Sequence, residues 1–166
     1  MPELTTPRDL FLHELGDILY VEKQLVNEVL PKLIGEVQDQ KFRKGLEKHR
    51  EETRSHITNV EQVFDELDER PKTEECIGFE GLKMEQQKLA DEASEDLIDL
   101  VNTGAAARTE HYEIAAYTGL IEMARALGEQ NAVSLLDENL KSEKQTLREV
   151  ESIEKTLRDE LKAATR

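Results

Sequence analysis

Four glutamates, Glu22, Glu52, Glu110 and Glu143, fall on helical stretches where the sequence pattern demands apolar residues. Glu22 sits in the stripe Leu15, Ile18, Leu19, Leu25, Val26 and Val29; Glu52 is flanked by Leu46, His49, Thr53, His56 and Val60. Glu110 lies with Ala107, Ile114, Tyr117 and Ile121, and Glu143 with Leu136, Leu140, Leu147 and Val150. Moving a lone carboxylate out of water costs several kcal/mol unless it is paired, protonated or bound to a cation. One such residue per helix points to something positive at the centre, and a metal pair is the natural candidate. Two further residues share these faces. Glu113 is spaced i, i+3 from Glu110, and His56 is spaced i, i+4 from Glu52. Bridging carboxylates with terminal imidazole are how helical cores hold iron or manganese.

The elements that must position these groups are helical. Charged residues make up 36% of the 166 and aromatics 4%, a balance that favours helices over sheets. Thr6-Pro7 marks a helix start, and the 3.6-residue pattern runs from about Leu10 to Val37 with a kink expected at Pro31. A second helix covers about Phe42 to Leu67, and Asp68 to Thr73 reads as a turn. A weaker amphipathic segment extends to about Glu92 and predicts a short extra helix. The third long helix runs from about Glu95 to Leu127, ending at Gly128; the fourth runs from Gln130 to Leu161, with fraying expected beyond.

Two helical hairpins joined by about 25 residues predict a ferritin-like four-helix bundle with one long crossover, a single domain over residues 1–166. An up-down-up-down bundle would not need so long a link. Taking Asp39 and Gly128 as the turn centres, Glu22 lies 17 residues before its turn and Glu52 13 after. Glu110 lies 18 before its own and Glu143 15 after. At ~1.5 Å per residue the mismatches are about one turn, so all four carboxylates can share one slab of the core.

Charge narrows the partners. A net charge of −15 repels nucleic acid and anionic membrane surfaces. No stretch approaches the ~20 apolar residues of a membrane span. The start has neither a basic region nor an apolar run, so no signal peptide is expected. The single cysteine, Cys76, has no internal partner, which fits a reducing cytoplasm. Cytoplasmic localisation is the expectation.

The sequence resembles the YciE/YciF branch of the ferritin-like superfamily over nearly its whole length. The marks are Glu22-Lys23-Gln24-Leu25, His49-x-x-Glu52-Thr53, Cys76-x-x-x-Glu80-Gly81-Leu82, Glu110-His111-Tyr112-Glu113-Ile114-Ala115 with Tyr117, and Glu138-x-x-x-x-Glu143-Lys144. The resemblance implies a ferritin-like bundle with an extra helix, a role in stress response, and a homodimer. Glu110-x-x-Glu113 resembles the paired glutamates of rubrerythrins. Against the wider di-iron pattern, position 55 is Ser where a histidine belongs, with His56 one residue later. Thr146 and Leu147 stand where the fourth helix should carry a histidine.

The expected site is therefore two Fe or Mn ions held by Glu22, Glu52, His56, Glu110, Glu113 and Glu143. His49 is either a ligand or a residue that orients Glu52, and Tyr117 can hydrogen-bond a ligand from outside the metal shell. Three functions fit this site: a metal-dependent oxidoreductase that oxidises Fe2+ or consumes oxygen or peroxide, a non-catalytic dimeric stress protein, and an iron-storage cage.

Overall fold

The computed structural model describes residues 4–164. The first residues of the presumed start and the last two of the expected fraying end, Thr165 and Arg166, lie outside that range. Helix α1 spans Pro7–Gln24 and is opened by a capping box. Thr6 Oγ accepts from Asp9 N at 3.1 Å, and Thr6 N donates to Asp9 Oδ2 at 2.8 Å, so two otherwise orphaned donors are satisfied reciprocally.

The first helix does not simply kink at Pro31. A π-helical turn, Leu25–Val29, connects α1 to α2, Leu30–Glu36. Leu30 N–H reaches back to Leu25 O. Pro31 has no N–H to give and its ring crowds the preceding turn, so a widened turn just ahead of it keeps the helical path continuous. Helix α3, Gln40–Glu66, is capped by Asp39, whose carboxylate accepts from Phe42 N at 2.7 Å. The turn before it is held to the opposite hairpin, because Asp99 accepts from Gln38 N at 2.9 Å and Asp39 N at 2.7 Å.

The crossover is fastened to α1 at one glycine. Glu74 N donates to Gly16 O at 3.0 Å, and a Cβ on Gly16 would come within 2.9 Å of Lys72 O. Only glycine allows that approach. Helix α4, Ile77–Glu92, is the extra helix in the connection, and Phe79 is its buried residue. A 3-10 turn, Glu95–Leu97, leads into α5, Ile98–Leu127. Gly128, at φ 83°, then closes α5, with Glu129 N bonded to Ala124 O and Gly128 N to Arg125 O. Helix α6 continues to Ala164, further than expected.

The described residues are all-helical, with two hairpins packed together. Helices α1 and α6 each pack against both α3 and α5, while α4 lies on α5. The core runs from Phe11 and Leu15 through Phe42, Tyr117 and Leu120 to Leu136. Among the described residues, no helix is long and apolar enough to cross a membrane.

Candidate metal centre

Midway along the core, the apolar stripes give way to charge. Glu22, Glu113 and Glu143 are completely buried, and His49, His56 and Glu110 are 3% exposed. Their donor atoms form two groups, within each of which all lie within 4.8 Å of one another. One is His49, Glu110, Glu113 and Glu143; the other is Glu22, His56 and Glu143. Glu143 belongs to both. His56 Nδ1 lies 2.8 Å from Glu143 Oε1 and 3.4 Å from Glu22 Oε1, while His49 Nε2 lies 3.3 Å from Glu110 Oε1.

Both carboxylate oxygens of Glu113 and Glu143, both ring nitrogens of His56, His49 Nε2, and one oxygen each of Glu22 and Glu110 have no assigned hydrogen-bond partner among the described residues. Buried polar atoms are almost always satisfied, so this concentration of orphans is an arrangement that a bound cation could satisfy. Two groups of oxygen and imidazole donors sharing one carboxylate match the donor chemistry of an iron or manganese pair.

The surrounding groups fix the ligands' orientation. Tyr117 Oη donates to Glu22 Oε1 and accepts from Asn139 Nδ2 at 3.0 Å. Asn139 also donates to His56 O at 3.2 Å, and its own Oδ1 accepts from Asn59 at 2.8 Å. On the other side, Thr146 Oγ1 lies 3.3 Å from His49 Nδ1, leaving His49 Nε2 to face Glu110.

Electrostatics divide the cluster. Burial pushes the Glu110 and Glu113 carboxyls well above the usual range, and Glu143 adds to both. Burial also raises Glu22, against the opposing pull of His56. For Glu143, burial acts upward, but His56, 2.8 Å away, and His49 outweigh it and hold the carboxyl low. Burial works against a charged His56 in the same way, yet Glu22 and Glu143 outweigh it and lift the imidazolium to about 10. Without a cation, the cluster thus carries one ion pair and several carboxyls that resist ionisation.

A family model matches residues 6–162. This chain belongs to DUF892, a family described only as a domain of unknown function. Protein YciF of Escherichia coli K12 is 34% identical to this DUF892 chain over 145 residues, covering 86% of it and 87% of the relative. The crystal structure of that E. coli stress protein has a TM-score of 0.87 at 33% identity, covering 94% of this chain and 99% of its own. YcfI from Rhodopseudomonas palustris gives the same TM-score at 36% identity, with 90% and 95% covered, and its description proposes a structural role. A Xanthomonas campestris protein, 18% identical with a TM-score of 0.75 over 96% of this chain and 99% of its own, shares the fold.

Within the DUF892 chain, Glu22, His56, Glu110, Glu113 and Glu143 come together, and Glu52 does not join them. The buried stripe of α3 is Phe42, Leu46, His49, Thr53, His56, Val60 and Val63, alternating steps of three and four. Glu52 is one residue off that register, about 100° around the helix from Thr53. It turns to the rim, where its side chain is 32% exposed and pairs with Lys48 at 3.3 Å. His49 takes the place expected for Glu52. The missing imidazole of α6 is thereby supplied from α3, with Thr146 of α6 against its Nδ1. Asn139 escaped the sequence reading, although it lies one turn before Glu143 on the same face. His111 is on the surface, its side chain 65% exposed.

Proposed function

We propose that this chain is a single-domain, ferritin-like four-helix bundle that holds two iron or manganese ions and serves as a stress-response protein related to YciF. The observation that carries the reading is Glu143, one buried carboxylate shared by two groups of donors. Glu110, Glu113 and His49 would hold one ion, Glu22 and His56 the other, and Glu143 would bridge.

When bound, such a pair supplies redox chemistry toward Fe2+, oxygen or peroxide. The residues of the chain do the rest. Tyr117 and Asn139 fix Glu22 and the His56 segment, and Thr146 fixes the ring of His49. The apolar side chains of Leu15, Ile18, Leu120 and Leu136 exclude water from the side of the cluster nearer the α5–α6 turn. Metal binding must displace the protons that burial holds on Glu110 and Glu113 and the one on His56, so affinity rises with pH. Metal analysis after anaerobic Fe2+ loading and removal of free metal tests the reading. About two ions per chain supports it; none contradicts it.

A second reading has one observation in its favour. The His56–Glu143 pair neutralises part of the cluster from within, so the bundle can fold as a non-catalytic dimeric stress protein. Under that reading Glu113→Gln leaves every property but stability unchanged. A ferritin-type iron-storage cage is separated from a dimer by size-exclusion chromatography, since the chain mass is 19.0 kDa.

A further inference from the structure

Directly beside the His49 and Glu110 side of the cluster, the protein leaves a cavity of about 360 Å3. The π turn and helices α2 to α6 all contribute to it: its walls include Leu25, Leu33, Phe42, Phe79, Ala106 and Ile153. Protein interiors are packed like organic crystals, with few voids larger than a water, whereas small-molecule sites begin at about 300 Å3. The space exists because Ala105 and Ala106 stand where larger side chains would close it. Helix α4 covers it while burying little more than Phe79.

The charges around this cavity specify what it takes. At its rim, Lys83 is paired with Glu28 at 3.4 Å and Glu80 at 3.2 Å, and Lys32 with Glu36 at 3.7 Å. Among the described residues, no uncompensated cation lines the cavity to hold an acid group. At its floor are the orphaned atoms His49 Nε2 and Glu110 Oε2, both on side chains 4% exposed. An anion entering would face Glu110 with Glu113 and Glu143 behind it, a buried group that already resists added negative charge. A neutral hydroxyl, by contrast, donates to a carboxylate while its oxygen accepts from an imidazole N–H or coordinates a metal.

We propose that this cavity binds a neutral, predominantly hydrocarbon molecule bearing a single hydroxyl or carbonyl end, with that end directed at His49 and Glu110. The direction of the polar end rests on the metal-site reading; the binding of the hydrocarbon body does not.

The test uses the full chain and the neutral fluorophore N-phenyl-1-naphthylamine, with 1-decanol and decanoate as competitors. One probe should bind per chain, and decanol should displace it at a concentration at least tenfold below decanoate. Ala106→Phe and the milder Ala105→Leu should each weaken the probe at least tenfold. Ile77→Ser should change nothing, because Ile77 is 83% exposed and does not line the cavity. Wild-type affinity in a folded Ala106→Phe protein, loss of binding in Ile77→Ser, or preference for decanoate overturns the proposal. If neither alanine variant folds by circular dichroism, nuclear Overhauser contacts between decanol and the Phe42 and Phe79 rings of the unmodified chain decide it, and their absence overturns it. Metal content measured on the same sample separates the two readings. Probe binding without metal leaves the cavity standing and removes the metal site; metal without probe does the reverse.

Discussion

At the scale of single residues, the exchange of Glu52 for His49 is the most informative difference between pattern and structure. Glutamate 52 and threonine 53 are neighbours on α3, and a helical stripe with steps of three and four tolerates either until its register is fixed. The full run from Phe42 to Val63 fixes it in favour of Thr53, and this signal is present in the sequence. The placement of His49 Nε2 is not, because it depends on Thr146, nearly a hundred residues away. The consequence is testable: His49→Ala should lose about half of the bound metal, while Glu52→Ala should keep it, as read by elemental analysis of the loaded variants. Tyr117 offers a second test. Its hydroxyl serves both Glu22 and Asn139, so Tyr117→Phe takes one partner from each of two buried polar groups and should destabilise the chain by about 1–3 kcal/mol in urea denaturation.

At the scale of elements, periodicity exposed the helices because their stripes are long and their ends are marked by Thr6, Asp39 and Gly128. The π turn was hidden. Pro31 announces a disturbance, but whether a helix answers by bending or by widening depends on what packs against it. The fastening of the crossover was equally hidden, since Gly16 carries no outward mark of the strand of chain lying on it. Gly16→Ala forces a methyl within 2.9 Å of a backbone carbonyl, and should cost about 1–3 kcal/mol. Gly35→Ala, with nothing within 4 Å, is the control and should be neutral or slightly stabilising by thermal denaturation, as helix propensity favours alanine.

At the scale of the whole molecule, a chain of net charge −15 gathers four of its carboxylates in its own core, and the pH dependence of the metal-free protein follows. Glu110 and Glu113 are raised above their unfolded values, and so is His56, to about 10 from 6.5. Groups with raised native values bind more protons folded than unfolded, so their contribution is complete below the unfolded value and lost as pH climbs through the folded one. For His56 that window runs from 6.5 to about 10. The metal-free chain should therefore lose stability steadily between pH 6.5 and 10 in urea titrations, and bound metal should flatten the slope. Glu113→Gln removes one carboxyl that ionises only at a cost, and should raise metal-free stability at pH 9 while lowering metal content.

The shared carboxylate gives the sharpest comparison. Elemental analysis of the wild type and Glu143→Gln, loaded side by side with anaerobic Fe2+ and freed of unbound metal, should give about two ions per chain and fewer than about one, respectively. A wild type without metal, or a Glu143→Gln protein that retains the full complement, would contradict a centre built on Glu143.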